Sequence, residues 1–196
     1  MLPLSEACER NKGPILEVLR SALADRKQVL EIGSGTGQHA VHFAAQLPHL
    51  VWHPTEQLKY LPDLGARIKQ EGSGNLRAPA VLDVKQAIWP LRSADAVFTA
   101  NTLHIMSWDE VLDLFRGLSE ILSSGGVLCI YGPFRYDGRY TSDSNRDFDR
   151  MLQERDPLSG LRDIHAVTAV AAQYGIALKL DHDLPANNRL LQFVRD

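Results

Sequence analysis

A glycine turn at residues 33–37 constrains the fold of this chain more than any other stretch of it. The apolar residues Val29, Leu30 and Ile32 come directly before the turn and are typical of a strand buried on both faces. Gly33, Gly35 and Gly37 then permit positive φ angles and let a ligand approach the backbone closely. A helix that begins near Gly37 directs its unpaired N–H groups back toward the turn. This stretch therefore predicts a strand, a tight turn open to a ligand, and a helix.

The spacing of the glycines separates two kinds of nucleotide-binding turn. A dinucleotide fingerprint, Gly-x-Gly-x-x-Gly, places a pyrophosphate at the helix N-terminus, but its third glycine would fall on Gln38 here. Glu31 stands beside the turn, where a carboxylate repels a phosphate and suits a ligand with an ammonium group. The pattern resembles motif I of class I S-adenosylmethionine-dependent methyltransferases; the alternative is a structural corner without a ligand. The resemblance implies that the aminoacyl and ribose parts of the cofactor lie against Glu31, Gly33, Ser34, Gly35 and Gly37.

Length and composition describe an ordinary globular chain. Its 196 residues are enough for one domain with a sizeable core, and 44% of them are hydrophobic and 23% charged. The net charge of −3 argues against a dedicated nucleic-acid binder. Cys8 and Cys129 do not have metal-type spacing. We see no signal peptide and no apolar run of membrane-spanning length, so we expect a cytoplasmic location and no membrane partner.

Acidic residues follow the second and third predicted strands. Residues 50–56 predict a strand that ends at Glu56, at about the interval from the glycine turn at which an acid binds ribose hydroxyls. A carboxylate suits this role because it can accept hydrogen bonds from two vicinal hydroxyls. Residues 80–84 predict a short strand, and the methyltransferase resemblance implies that Asp83 accepts from the adenine amino group. The alternatives are a surface glutamate and a turn-capping aspartate.

The fourth predicted strand covers residues 94–101. Its last residue and the loop that follows it supply two further candidates. Small residues in this strand leave space for a ligand against the sheet, and Asn101 ends it at the expected cofactor site. His104 follows on a loop at the edge of that site. We consider it a general base for an acceptor that is protonated near neutral pH, with packing as its alternative role. Ser107 and Glu110 then form a predicted capping box that starts a helix.

Strands and helices alternate up to residue 131, which argues for an α/β fold with a doubly wound sheet. We predict a single domain over residues 1–196 with a seven-stranded, mostly parallel sheet and an antiparallel last strand, as expected of the methyltransferase fold. The first helix, residues 5–24, is predicted to break near Gly13 and Pro14. The other predicted helices are residues 37–46, 58–71, 107 to the glycines at 125–126, and 164–174. The later predicted strands are residues 127–131, 176–181 and 189–194.

Residues 132–162 break the alternation and are polar, aromatic and rich in Arg, Asp and Ser. A stretch of this length without strong periodicity inside a compact domain usually forms a functional lid, here with a short helix near Phe148. The lid and the last loop, residues 183–188, both return to the carboxyl edge of the sheet. We expect a polar acceptor-binding wall there, and the alternative is that its members cap helices and hold the lid to the sheet. The members are Tyr131, Asn145, Asp149, Arg162, Asn187 and Asn188.

A narrower resemblance covers nearly the whole chain. The sequence is similar to the uncharacterised methyltransferase-like protein twenty-six family and its bacterial relatives. The segments that carry this similarity are residues 9–16, 131–134, 144–149, 160–163 and 185–188. It implies the class I methyltransferase fold and S-adenosylmethionine as cofactor, and it implies no particular substrate. The polar cluster at residues 9–12, with Asn11 as a cofactor-site candidate, is either a solvated helix start or an N-terminal flap over the cofactor.

These resemblances imply an enzyme that transfers a methyl group in line from S-adenosylmethionine to a small-molecule or protein acceptor. The alternative is a non-catalytic module that binds a protein partner, and the intact turn with both acids counts against it. A dehydrogenase is disfavoured by Gln38 and the terminal strands. Methylases of nucleic-acid amino groups typically carry Asn/Asp-Pro-Pro-aromatic after the fourth strand, where this chain reads Asn-Thr-Leu-His at residues 101–104. We therefore expect no nucleic-acid substrate and no metal, and the oligomeric state stays open.

Overall fold

Helices and strands alternate along most of the computed structural model, which describes residues 2–196. The helices are α1 (Glu6–Ala22), α2 (Gln38–Gln46), α3 (Leu61–Glu71), α4 (Trp108–Ile121), α5 (Asp143–Arg155) and α6 (Ile164–Gln173), with a 3-10 turn at Leu58–Tyr60. The strands are β1 (Gln28–Ile32), β2 (Val51–Glu56), β3 (Ala80–Val81), β4 (Ala94–Ala100), β5 (Leu122–Gly132), β6 (Phe134–Tyr136), β7 (Arg139–Tyr140), β8 (Arg162–Asp163), β9 (Ile176–Leu184) and β10 (Asn188–Arg195). None of the helices within residues 2–196 combines the length and apolar character that a membrane span needs.

The main sheet has seven strands in the order β3-β2-β1-β4-β5-β10-β9. Strands β3, β2, β1, β4 and β5 are parallel, and β10 runs antiparallel to both β5 and β9. This confirms the predicted α/β architecture with its antiparallel last strand. The strand order reverses between β1 and β4, which opens a crevice at their carboxyl ends.

Side chains of alternate residues in the central strands point into two hydrophobic cores, one on each face of the sheet. Leu30 and Leu128 belong to the core under α4 and α6. Val29 and Cys129, their neighbours along β1 and β5, belong to the core under α1 and α2. Burial on both faces explains why these strands read as continuous apolar runs.

α1 continues through Pro14, so the predicted break at this point is wrong. A proline inside a helix removes one backbone hydrogen bond and costs about 3 kcal/mol. Ile15, Leu16 and Leu19 follow it and are buried in the core. Each buried side chain of this kind contributes about 1.5–3 kcal/mol, so packing on the carboxyl-terminal side of Pro14 outweighs the lost bond.

Two element boundaries also differ from the predicted ones. β3 ends at Val81 because Leu82 turns into the core under α4 instead of extending the sheet. α4 ends at Ile121 and not at the glycine pair. Leu122 already has an extended backbone and pairs with Ala94 of β4, so β5 starts there with a register shift before the regular pairing.

The turn between β9 and β10 is shorter than predicted. β9 continues to Leu184 and β10 begins at Asn188. Ala186 and Asn187 have φ angles of +61° and +55°. Two successive residues with positive φ match the tight turn that the right-handed twist of a hairpin favours.

The insertion after β5 is more regular than its composition indicates. β6 pairs antiparallel with β7 and parallel with β8 in a separate three-stranded sheet. The short helix predicted near Phe148 is α5, which has 13 residues and is capped by the Ser142 hydroxyl. We call residues 132–162, with these elements, the lid.

Candidate functional site

A cleft of about 830 Å³ opens at the carboxyl ends of β1, β2 and β4. It lies in the crevice beside the reversal of strand order, where open α/β sheets bind ligands. The glycine turn lies on one side, and α1, the loop after β4 and the lid surround the rest. Residues that line it include Ser5, Cys8, Gly33, Ser34, Gly35, Gln38, His39, Glu56, Tyr60, Leu82, Val84, Asn101, Ile105, Met106 and Leu152.

The glycines of the turn have two different physical roles. All three have positive φ, +72° at Gly33, +56° at Gly35 and +83° at Gly37. A Cβ on Gly33 would lie 2.5 Å from Thr102 Cγ2, and one on Gly37 would lie 2.8 Å from Leu64 Cδ1. A Cβ on Gly35 would meet no atom of residues 2–196 within 4 Å. The outer glycines therefore let the turn pack, whereas Gly35 leaves space for a ligand.

Glu56 ends β2 and is bound to the glycine turn. Its Oε2 accepts from the Gly35 N–H at 2.7 Å, and its Oε1 accepts from the Gln57 N–H at 2.7 Å. A carboxylate has about four acceptor positions. Glu56 therefore orders the turn and still has acceptor positions for the hydroxyls of a ligand in the cleft that it lines.

Glu31 lies in the sheet beneath the turn and is buried. Its Oε2 accepts from Trp52 Nε1 at 2.8 Å. Burial raises the pKa of Glu31 to about 7 against the opposing effect of the Trp52 hydrogen bond, and the Glu56 carboxylate adds to the rise. The structure thus places Glu31 behind the cleft, within electrostatic reach of the Cys8 thiol that lines it.

Asp83 and Asn101 have different positions relative to the cleft. The Asp83 carboxylate accepts from the Lys85 N–H at 3.0 Å and caps a turn, while its neighbours Leu82 and Val84 line the cleft. Asn101 lines the cleft itself and has a φ of +58°. Its N–H donates to the Tyr131 carbonyl at 2.8 Å, which holds this uncommon backbone conformation at the end of β4.

Asn11 is linked to a residue that sequence reasoning missed. Its Oδ1 lies 2.7 Å from Nε2 of His39, which lines the cleft. Burial lowers the pKa of His39 to about 4, so the imidazole is neutral at pH 7. We expect its Nε2 to carry the proton that it donates to Asn11. A histidine directly after a glycine turn was the available signal, but the sequence does not show its partner on α1.

His104 packs in the loop between β4 and α4. Its ring meets that of Phe148 edge-on, with 5.3 Å between the ring centroids, and its carbonyl accepts from the Gly160 N–H at 2.9 Å. Burial lowers the pKa of His104 to about 4, and the charge of Arg162 lowers it further. His104 is therefore neutral at pH 7 and lies between the sheet and the lid.

Tyr131 and Asn188 come together at the end of β5. Burial raises the pKa of Tyr131, while hydrogen bonding from Asn11 and Asn188 opposes the rise. Asn188 also donates to the Pro185 carbonyl at 3.4 Å. The side chain of Asn188 thus lies between the β9–β10 turn and the phenol. A role of Tyr131, Asn187 and Asn188 in acceptor binding stays a prediction.

The other members of the predicted polar wall bind the lid to itself and to the sheet. Asn145 donates from Nδ2 to the Asn187 carbonyl at 3.0 Å. The buried Asp149 accepts from Tyr140 Oη at 2.6 Å and from the Leu161 N–H at 2.6 Å. Arg162 donates from Nε to the Leu103 carbonyl at 3.0 Å, and from Nη2 to the carbonyls of Met106 and Leu158. These contacts favour the alternative interpretation, in which Asn145, Asp149 and Arg162 hold the lid in place.

The residues present fit S-adenosylmethionine. The buried Ser34 Oγ makes no hydrogen bond of regular geometry within residues 2–196, and its one polar neighbour is the Glu31 carboxyl, whose pKa it lowers. A buried hydroxyl without a well-formed hydrogen bond is costly. The space at Gly35 admits a ligand against the backbone, Glu56 offers acceptors for hydroxyls, and Leu82 and Val84 supply an apolar wall. Donor, acceptor and apolar groups thus converge on one cleft, as in ligand-binding sites generally.

The fold of this chain is the class I methyltransferase fold. The structure superposes with a TM-score of 0.84 on an O-methyltransferase family protein from Burkholderia thailandensis, at 18% identity, over 97% of this chain and 58% of that chain. For the S-adenosylmethionine-dependent methyltransferase SibL the values are 0.80, 19%, 96% and 55%. For human N-acetylserotonin methyltransferase in complex with SAM they are 0.79, 14%, 97% and 53%. Residues 2–195 match the family described as "Protein of unknown function (DUF938)", and this chain belongs to that family.

The chain spans a little over half the length of these structural neighbours. The structural similarity covers the sheet with its helices. The sequence identities to these neighbours are 14–19%, and at this level a structural match establishes the fold alone. The chemistry of this chain must therefore be argued from its own residues.

Proposed function

We propose that this protein is an S-adenosylmethionine-dependent methyltransferase acting on a small-molecule or protein acceptor. The observation that carries the proposal is the bond between Glu56 and the Gly35 N–H, because it joins a hydroxyl-binding carboxylate to an open glycine turn in one cleft. S-adenosylmethionine, when bound, supplies an activated methyl group, so the protein needs mainly to position a nucleophile. We also propose that this chain is related to the methyltransferase-like protein twenty-six family, which its sequence resembles.

The cleft residues divide the work of holding the cofactor. We assign Glu56 to the ribose hydroxyls and the turn, with Ser34, to the aminoacyl part. Leu82 and Val84, which line the cleft, provide a wall for the adenine, and Asp83 orients them through the turn that it caps. Asn101 completes the site from the end of β4.

His104 is our proposed base for an acceptor hydroxyl. Its ring is neutral at pH 7, so one ring nitrogen has a free lone pair, and burial, which lowers its pKa to about 4, makes it a weak base. Gly132 keeps space next to it, because a Cβ there would lie 3.6 Å from His104 Nδ1. The ring of Phe148 packs against its other side and fixes its orientation. An acceptor that is already a free nucleophile would need no such base.

Calorimetry with S-adenosylmethionine and with a nicotinamide dinucleotide tests the cofactor assignment. We expect S-adenosylmethionine to bind and the dinucleotide not to bind. Glu56→Ala should lower the affinity at least about tenfold, because hydrogen bonds to a charged group contribute about 1.5–3 kcal/mol each and tenfold is about 1.4 kcal/mol. Glu120→Ala, at an exposed carboxylate of α4, is the matched control. Tighter binding of the dinucleotide, or equal affinities in folded Glu56→Ala and wild type, would overturn the assignment.

A transfer assay with methyl-labelled cofactor and cell extracts tests for catalysis. We expect label in a protein band or in a small metabolite, and less of it with His104→Ala at unchanged cofactor affinity. Transfer at the wild-type rate by His104→Ala would exclude the proposed base. Cofactor binding without any transfer would instead support the non-catalytic module.

A further inference from the structure

α1 consists of two halves that are held in different ways. In the carboxyl-terminal half, Ile15, Leu16, Leu19 and Ala22 are buried in the core. In the other half, from Glu6 to Gly13, every residue is exposed or only partly buried. Burial of apolar side chains therefore anchors one half of the helix and not the other.

Gly13 and Pro14 lie where the two halves meet. Pro14 has no N–H, so the helical hydrogen bond to the Arg10 carbonyl is missing. A Cβ on Gly13 would meet no atom of residues 2–196 within 4 Å, so packing does not brace the helix at this point. A missing backbone bond beside an unbraced glycine makes this the weakest turn of α1.

Gln38 holds the amino-terminal half through side-chain hydrogen bonds. Its Oε1 accepts from the Ser5 N–H at 2.6 Å, and its Nε2 donates to the Ser5 carbonyl at 3.2 Å and to Glu9 Oε1 at 2.8 Å. Gln38 is itself buried and is the first residue of α2 after the glycine turn. A single side chain thus joins the start of α1 to the turn.

Arg67 reinforces the same connection from α3. Its Nε donates to the Thr36 carbonyl at 2.7 Å, and its Nη2 donates to the Pro3 carbonyl at 2.5 Å. Nη1 pairs with Glu71 at 3.0 Å. The guanidinium therefore links the glycine turn to the segment that leads into α1.

This half of α1 also forms a wall of the cleft. Ser5 and Cys8 line it together with Gly35 and Glu56 of the proposed cofactor site. A ligand held by the turn lies next to this half of the helix. Movement of the half about Gly13 and Pro14 would open the cleft while the other half stays in the core.

We propose that residues 5–13 are a hinged gate over the cleft, with Gln38 as the latch at its free end and the bond between Asn11 and His39 as a second contact close to the hinge. This proposal depends on the proposed function only for the identity of the ligand that the gate encloses. Breaking the latch should increase opening without unfolding the protein. Restoring the missing backbone bond at the hinge should reduce opening.

Hydrogen–deuterium exchange of the ligand-free protein tests the gate directly. Gln38→Met keeps the side-chain volume and removes the latch. Opening at the hinge separates the N–H groups of residues 15–17 from the carbonyls of residues 11–13, so we expect the amides of Ile15 to Glu17 to exchange at least fivefold faster, with those of Leu19 to Ala22 unchanged. Gln46→Ala is the matched control, because Gln46 accepts from Arg20 in the anchored half at 3.0 Å, and we expect no effect. Equal acceleration in Leu19 to Ala22, or none in Ile15 to Glu17, would overturn the proposal.

A second variant covers the case in which Gln38→Met does not fold. Glu9→Ala removes one exposed partner of the latch, and we expect a smaller acceleration confined to Ile15 to Glu17. Exchange as slow as in the wild-type protein would then count against the gate.

Stopped-flow measurement of S-adenosylmethionine binding tests what the gate does. We expect Gln38→Met to raise the dissociation rate constant at least threefold, and Pro14→Ala to lower the association and dissociation rate constants together. Rate constants unchanged by both variants would exclude gating of the ligand. If the wild-type protein fails to bind S-adenosylmethionine, the proposed function fails, whereas the exchange experiment still decides whether the gate exists.

Discussion

Among the acidic residues near the cleft, Glu31 has the most strongly shifted pKa. The cause is its burial directly behind the glycine turn. Its pKa rises from the ordinary 4.5 to about 7, chiefly through burial, with a smaller contribution from Glu56 and against the Trp52 hydrogen bond. A carboxyl group with this pKa exchanges its proton near neutral pH. The charge of the carboxyl group behind the turn therefore changes near neutral pH.

The shift predicts how stability depends on pH. Between about pH 4.5 and 7 the folded protein holds the Glu31 proton while the unfolded chain has lost it, so this contribution to stability is lost as the pH rises through about 7. At about 1.36 kcal/mol per pKa unit, the effect is on the order of 3 kcal/mol. We expect the free energy of unfolding of Glu31→Gln, relative to wild type, to increase by up to this amount from pH 5 to pH 8 in urea titrations.

The comparison with Glu31→Gln removes the effect of the buried histidines. Burial lowers the pKa of His39 and His104, so their contribution is lost as the pH falls, in the opposite direction. Both proteins contain these histidines, and their effect cancels in the difference. A difference that stays constant from pH 5 to pH 8 would show that Glu31 does not titrate in this range.

At the scale of elements, α5 shows how a polar helix becomes a fixed part of the lid. Asp149 is 1% exposed and accepts from Tyr140, from Gln153 and from the Leu161 N–H. It therefore connects α5 to β7 and to the segment before β8. Removing a buried acceptor leaves its donors without partners, which costs about 1–3 kcal/mol for each.

Asp149→Ala should accordingly destabilise the protein by about 3 kcal/mol. A loss of this size lowers the melting temperature of a domain of this length by roughly 6–12 °C. Asp143→Ala on the same helix is the matched control, because its carboxylate is 87% exposed, and its effect should be small. Methyl transfer that falls in Asp149→Ala without a change in melting temperature would show that Asp149 instead binds the acceptor.

At the scale of the whole molecule, aromatic packing joins the site-bearing elements on one face of the sheet. Phe98 of β4 is fully buried. Its ring centroid lies 5.4 Å from that of Phe43 of α2, 6.0 Å from Trp52 of β2 and 6.2 Å from His39. Such aromatic contacts add to the stabilisation from burial, so the strands and helix beneath the cleft form one rigid unit.

Phe98→Ala should therefore destabilise the whole domain. Truncating a buried phenylalanine typically costs about 3–5 kcal/mol, and we expect a decrease of this size in the free energy of unfolding. Phe148→Ala, at a partly buried ring of the lid, should cost clearly less. Urea denaturation of both variants measures the difference, and equal losses would show that the lid packs as tightly as the core.

Features that depend on neighbouring residues or on general rules of chain topology could be predicted from the amino-acid sequence. Ser107 and Glu110 form the predicted capping box, with hydrogen bonds of 2.8 and 3.2 Å. The glycine turn has the predicted positive φ angles, and the strands form the predicted sheet. These features follow from sequence because backbone sterics, local capping and the right-handed βαβ crossover act whatever the distant parts of the chain do.

Contacts between side chains that are distant in the sequence depend on the assembled fold and could not be predicted. Pro14 lies within a continuous helix because the core holds the turns after it, and local sequence predicts a break there. Gln38 binds Ser5 across 33 residues, and Asp149 binds the Leu161 N–H across 12. Polar side chains can satisfy their hydrogen bonds with many partners of similar energy. The choice among those partners is made by packing of the assembled sheet, helices and lid, because only packing fixes the distances between them.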